Sequence, residues 1–306
     1  MRTTLPHLDG KIWMADGGLE TSIIFGQGVD LPDFAAFPLL DGGRRHLDDY
    51  YGPYLRHARR RGLGMVVDTP TWRANSDWGA RLGFSREALA RLNRASVHYV
   101  RESAERAGVE AVINGAIGPR GDGYVVGATM SAAEAARYHA LQTRALAEAG
   151  AHMVTGVTMT HVDEAIGVVE AARNAGIPAA ISFTVETDGR LPSGQALPDA
   201  VEAVDAATGS EAAYFMVNCA HPTHFRHVLD EGGRWLERIR GVRANASRAS
   251  HAELDAAEEL DRGDPRELAD DYASLHRAIP GLAVVGGCCG TDHEHVAAIT
   301  EALVPV

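Results

Sequence analysis

The chain has 306 residues, 45% of them hydrophobic and 23% charged, with a net charge of −12 at neutral pH. That length and apolar content suit one large α/β barrel over residues 1–306. The negative balance, with no long basic run, argues against nucleic acid or an anionic membrane as a partner. No apolar stretch reaches the 18 or so residues of a membrane-spanning helix. Met1–Gly10 lacks the apolar centre of a signal peptide, so a cytoplasmic location is expected.

Taken in order, short apolar and β-branched runs alternate with longer segments rich in Ala, Leu, Arg and Glu. The runs are Ile12–Ala15, Met65–Thr69, Ala111–Ala116, Met153–Thr158, Ala179–Thr184, Tyr214–Cys219, Ile239–Asn245 and Leu282–Gly287. Arg86–Ala107, Ala132–Ala149 and Val162–Ala175 read as helices. Ser85 and Ser131 are placed to cap two of them, with Glu134 completing a capping box. Gly108, Gly150 and Gly176 follow helical patterns, where a positive φ is wanted. Eight strand–helix repeats predict a closed (β/α)8 TIM barrel, with an open doubly wound sheet as the rival. The acidic segment Ser250–Asp271 reads as an insertion after the seventh strand, a solvated surface helix and loop. A lid over the barrel mouth is the alternative.

In such a barrel, chemistry sits at the C-terminal ends of the strands. Polar residues recur there: Asp16-Gly17-Gly18, Asp68-Thr69-Pro70-Thr71, Asn114-Gly115, Asn218-Cys219, Asn245 and Gly286-Gly287-Cys288-Cys289-Gly290. The chain has three cysteines, an odd number that does not make a disulfide framework. Three small buried apolar residues are one reading. Their location at the ends of strands six and eight favours another, a shared metal held by Cys219, Cys288 and Cys289. Three thiolates suit zinc and leave one tetrahedral position open, as in catalytic sites. Zinc with three thiolates carries a net charge of about −1, which makes it a poor generator of hydroxide. It is suited instead to binding a substrate thiol as thiolate, the nucleophile in attack on an activated carbon.

These motifs resemble the homocysteine S-methyltransferase family over nearly the whole chain. Asp16–Thr21 is similar to its opening motif, and Thr69–Ala74 to its second-strand motif. Ile117-Gly118-Pro119 and Ser182-Phe183-Thr184 match further strand ends, and Asn218-Cys219 with Gly286–Gly290 match the metal motifs. The resemblance implies a (β/α)8 barrel and one zinc on Cys219, Cys288 and Cys289. It implies methyl transfer from an onium donor (S-methylmethionine, S-adenosylmethionine or a betaine) to homocysteine or a related thiol. Asp16, Gly17, Gly18 and Asn218 would line the substrate site, and Thr71 and Asn245 would stand near metal and donor as catalytic residues with Asp16.

Two positions depart from the family pattern. Val157 stands where the family carries a Glu that receives the substrate ammonium, and Asp292-His293 replaces the more usual Thr-Pro. Glu186 and Asp188, after strand five, are the nearest replacement acids, though exposed loop carboxylates is the plainer reading. His221, His224, His293 and His295 flank the metal motifs and read as outer-shell or helix-start residues. The implied partners are a small-molecule thiol and a methyl donor, and the sequence is compatible with a homo-oligomer. Lyase or hydrolase chemistry at the same zinc, and non-catalytic metal or thiol binding, are the competing functions.

Overall fold

The computed structural model describes residues 5–305, so the first four residues of the Met1–Gly10 segment lie outside the described residues. Eight parallel strands close into a barrel in sequence order. They are β1 (Trp13–Met14), β2 (Met65–Asp68), β3 (Ala111–Ile117), β4 (Met153–Met159), β5 (Ala179–Phe183), β6 (Phe215–Asn218), β7 (Ile239–Ala244) and β8 (Val284–Gly287). Pairing of Trp13 with Val284 joins β1 to β8 and shuts the ring. The open-sheet alternative is thereby ruled out.

A barrel helix follows each strand: α1 (Arg44–Arg61), α2 (Arg86–Ala107), α3 (Ala132–Glu148), α4 (Val162–Ala175), α5 (Leu197–Thr208), α6 (Pro222–Asp230), α7 (Pro265–Ala278) and α8 (His293–Leu303). Their ends are written locally. The Ser85 hydroxyl accepts from the Ala88 amide at 3.2 Å, and Gly108 closes α2 at φ +66°. Ser131 and Glu134 form a capping box at α3. Such caps contribute about 1 kcal/mol each. The α3 helix ends at Glu148, one residue short of the expected Ala149, which caps it, and Gly150 follows at φ +84°. Among the described residues, no helix is long and apolar enough to cross a membrane.

Strand alternation divides the core in two. One set of side chains, including Met65, Val67, Ile113 and Val154, packs against the helices. The other set points inward: Trp13, Val66, Val112, Met153, Ala180, Tyr214, Met216 and Val284 fill the barrel. Further along β2, β3, β4, β5 and β7, the inward positions turn polar at the period of two. Asp68, Asn114, Thr155, Ser182 and Arg243 form this upper layer. Its members satisfy one another: Asn114 Nδ2 donates to Asp68 at 2.7 Å, and Thr155 Oγ1 to Asn114 Oδ1 at 3.0 Å. The apolar plug and this bonded layer hold the barrel mouth at a fixed height, where the next residues of each strand emerge.

The acidic segment after β7 is largely the solvated helix and loop expected of it, exposed from Ala252 to Asp264 apart from the partly buried Leu254 and Leu260, and it also borders the barrel mouth. Ser250 caps a short helix, His251–Asp255, whose first residue is buried. Leu254, Asp255, Ala257, Glu259, Leu260 and Asp261 face a cavity at the mouth. From Pro265 onward the chain is already the barrel helix α7. Leu254 and Leu260 are its partly buried residues facing the mouth.

Candidate metal centre and active site

Three sulfurs converge at the barrel mouth. Cys219 Sγ lies 3.0 Å from Cys288 Sγ and 3.5 Å from Cys289 Sγ. All three lie within 4.8 Å of one another, forming a group that could hold a metal ion. Cys219 reaches this position through unusual backbone. It follows β6 at φ +56°, the left-handed region that side-chain-bearing residues seldom occupy. Strain of this kind, roughly 1–3 kcal/mol, typically accompanies functional sites. Its amide donates to Arg243 O at 3.0 Å, and its carbonyl receives Asn245 Nδ2 at 3.1 Å. On the opposite side, Cys288 N bonds Ala244 O and Ala246 N bonds Cys289 O, so β7 and β8 hold the adjacent pair. A Cβ at Gly18 would lie 2.5 Å from the Cys288 carbonyl oxygen, so only glycine lets the first loop pass the cysteine turn.

The sulfurs do not behave alike. Hydrogen bonds from Cys219 and Cys289 pull Cys288 well below the ordinary thiol range, and Arg243 adds to the pull. Cys219 is held well above it by its bonds to Cys288 and Cys289 and by burial. For Cys289 the bond to Cys219 lowers, but the bond to Cys288 and burial outweigh it, and this thiol too is held up. A cation among the sulfurs would let all three ionise. A tetrahedral zinc with Zn–S bonds of about 2.3 Å requires sulfurs about 3.8 Å apart, a small spreading from the spacing present.

Two residues without a forecast role complete this wall. Tyr124, from the β3–α3 loop, puts its hydroxyl 3.2 Å from Cys219 Sγ and 3.4 Å from Cys289 Sγ. His251, from the covering helix, stacks on Tyr124 and brings Nε2 to 2.8 Å from the Cys219 carbonyl. Its Nδ1 meets Glu186 at 3.1 Å. Tyr124 stands in a Gly- and Asp-rich loop with no spacing relation to the cysteines, so the sequence carries no signal for it.

Beneath the sulfurs, Arg243 is ion-paired with both Asp16 and Asp68. Burial pushes Asp16 up to about 7 against the opposing pull of Arg243. The guanidinium itself is held well above its usual value: burial lowers it, but Asp68 and Asp16 more than compensate. A charged residue between Val242 and Ala244 was the available sign that β7 carries an inward cation.

The cavity over this floor has a volume of about 410 Å³. Asp16, Gly17, Gly18, Val157, Asn218 and the three cysteines line it. A register shift in β4 turns Val157 to the cavity, and Trp72 Nε1 donates to its carbonyl at 3.2 Å. Asn218 accepts from Thr158 N and Ser182 Oγ and reaches Cys288 Sγ at 3.9 Å. Thr71 and Asn245 are different. Both are buried behind the wall, Thr71 donating to Ala116 O at 2.7 Å and Asn245 supporting the Cys219 carbonyl. Neither lines the cavity, and Asn245 Oδ1 is buried without a hydrogen-bond partner. Glu186 and Asp188 are also absent from the lining. Glu186 serves His251, and Asp188 bonds the Arg190 amide in a turn. Of the flanking histidines, His221 and His295 cap α6 and α8, His293 opens α8, and His224 bonds Arg248 O.

Comparison with known proteins agrees with this architecture. Residues 13–303 match the family model described as Homocysteine S-methyltransferase. Homocysteine S-methyltransferase 4 of Zea mays is 26% identical, over 96% of this chain and 90% of that protein. The crystal structure of the homocysteine methyltransferase MmuM from Escherichia coli superimposes in its metallated form with TM-score 0.73 and 21% identity, covering 94% of this chain and 95% of that one. Its oxidized form gives TM-score 0.75 and 22% identity with the same coverage. The two crystal structures support the fold, and the family match extends over nearly the whole barrel: the chain belongs to the homocysteine S-methyltransferase family and is a methyltransferase.

Proposed function

We propose that this protein is a zinc-dependent thiol methyltransferase, with Cys219, Cys288 and Cys289 as the metal ligands. The donor is a methylated onium compound such as S-methylmethionine, S-adenosylmethionine or a betaine. The acceptor is homocysteine or a related thiol. The observation that carries this reading is the convergence of three cysteine sulfurs on the wall of a cavity of about 410 Å³. Zinc, when bound, would keep an acceptor sulfur in its thiolate form at neutral pH.

The protein's own residues do the rest. The acceptor's thiol proton leaves to solvent. The thiolate lone pair forms the new S–C bond, and the bond between methyl carbon and onium atom breaks, its electron pair returning to the donor sulfur or nitrogen. Asp16, the Gly17-Gly18 backbone and Asn218 border the acceptor. The covering segment after β7 and the Tyr124 loop limit water at the reacting atoms. Closed-barrel topology and the match over residues 13–303 support one domain across the chain. Three free thiols this close together suit a reducing compartment, which supports a cytoplasmic location.

The test is a matrix of thiol acceptors against onium donors with the zinc-loaded protein, read by mass spectrometry. Methylated thiol should appear for at least one pairing and vanish in Cys288→Ser. Donor hydrolysis without methylated thiol would instead favour a metal-dependent hydrolase.

A further inference from the structure

Seven carboxylates line the cavity, and their commitments differ. Asp16 and Asp68 are taken by Arg243. Asp122 bonds the amides of Tyr124 and Val125 and lies 3.6 Å from Arg73. Asp261 bonds Ser247 Oγ and the Gly263 amide. Asp255 and Glu259 stand exposed on the covering segment, where water solvates them. Glu20 remains. It sits half-buried on the wall, directly after the Gly17-Gly18 turn, and among the described residues it makes no hydrogen bond or ion pair with another residue.

A carboxylate withdrawn from water without a partner is costly. Burial pushes Glu20 up to about 7 against the pull of its own backbone amide, with the nearby Cys288 and Asp16 adding to the rise and Arg73 opposing it. A bound cation would relieve that cost, and the surroundings indicate which kind. Phe25, Phe34, Trp72 and Tyr124 present aromatic surface to the same cavity. Aromatic surface and an acid in one cavity suit a methylated onium, whose charge is diffuse and which has no N–H to donate. A primary ammonium has three N–H donors to satisfy, and the Asp16 and Asp68 carboxylates beside it are already engaged by Arg243.

We propose that Glu20 is the counter-ion of the methyl donor's onium centre. This rests on the reading of the protein as an onium-dependent methyltransferase. The reaction destroys charge: a thiolate and a cation become a thioether and a neutral leaving group. The attraction between Glu20 and the donor is therefore strongest before the transition state. It serves donor binding and specificity rather than the chemical step.

The zinc-loaded full chain is compared with Glu20→Gln and Glu20→Asp. In Glu20→Gln the KM for the onium donor should rise about tenfold or more, as expected for a lost charged contact. Its kcat should be equal or higher, and the acceptor KM should stay within about twofold. Glu20→Asp keeps the charge and should lie between the two, which separates the charge from any folding defect. A second readout needs no turnover. Calorimetric titration of the metal-free protein with choline and with its neutral isostere 3,3-dimethylbutan-1-ol should show a preference for choline that Glu20→Gln abolishes. That preference would persist even if no methyl transfer were found, so the two readings fail separately. Equal binding of both probes by the unaltered protein, or a rise confined to the acceptor KM in Glu20→Gln, would overturn the proposal.

Discussion

His251 lies flat against Tyr124, ring centroids 4.1 Å apart and planes 12° from parallel, while its Nε2 is 2.8 Å from the carbonyl oxygen of Cys219. One side chain thus joins the segment after β7, the loop after β3 and the backbone of Cys219, one of the three clustered cysteines. His251→Ala removes all three ties. Outer partners of metal sites typically contribute 10–100-fold to affinity or activity, so kcat/KM should fall by about tenfold or more. Amide exchange in residues 119–127 and 247–263 should quicken together. Faster exchange in only one of these segments would show that they are not coupled through this ring.

Purified protein should hold close to one zinc per chain by elemental analysis. Cys219→Ser, Cys288→Ser and Cys289→Ser should each lose most of it, while circular dichroism still reports a folded barrel. Removing the metal from the unaltered protein with a chelator should abolish turnover, and added zinc should restore it. Turnover that survives in Cys288→Ser would point to a mechanism without metal.

Val157 offers an ammonium no charge, and the Asp16 carboxylate is engaged by Arg243. Homocysteine should accordingly be a poorer acceptor than a thiol without a free ammonium, such as 3-mercaptopropionate. Val157→Glu should lower the homocysteine KM by about tenfold, the scale of one charged hydrogen bond, and should impair the simpler thiol. Efficient use of homocysteine at micromolar concentration by the unaltered protein would contradict this.

The Arg243 bridge is a buried ion triad. Removing its cation leaves two acids uncompensated, so Arg243→Met should cost about 3–5 kcal/mol in urea unfolding. The combined Asp16→Asn, Asp68→Asn, Arg243→Met protein should recover most of that, because no unpaired charge remains. A combined variant as unstable as Arg243→Met alone would mean that packing, not charge, dominates at this level of the barrel.

His7 supplies a pH dependence far from the metal site. It is buried at the base of the barrel with Nε2 3.0 Å from Tyr214 Oη, and burial lowers its pKa to about 4, against a small opposing pull from Asp9. The unfolded chain takes up this proton near pH 6.5 and the folded protein only near 4. Stability from the neutral ring is complete above about 6.5 and is lost as pH falls toward 4, by at most about 3 kcal/mol. Thermal melts across this range should drop more steeply for the unaltered protein than for His7→Gln. Parallel slopes would remove His7 from the account.

The strands were legible because each is short, apolar and bounded by polar or glycine residues, and Ser85 and Gly108 mark both ends of α2. The cysteines were legible because strand order alone brings β6 and β8 to one mouth. Arg243 was harder, since its partners Asp16 and Asp68 lie more than 170 residues away. Tyr124, His251 and Phe25 come from a loop and short helical turns whose paths depend on packing rather than periodicity. Thr71 and Asn245 stand at the strand ends the sequence indicated, but behind the cavity wall rather than on it.

The bonded layer of Asp68, Asn114, Thr155, Ser182 and Arg243 also separates two kinds of inheritance. Everything below and within it is tied to strand register, so a change there disturbs the barrel and the sulfur cluster together. The rim above is built from residues 19–34, 119–131 and 252–264, which owe little to register. A descendant of this chain could exchange its rim for another and meet a different donor or acceptor, while the sulfurs stayed where the barrel holds them. New specificities should therefore be found by grafting loops onto this scaffold rather than by altering its strands.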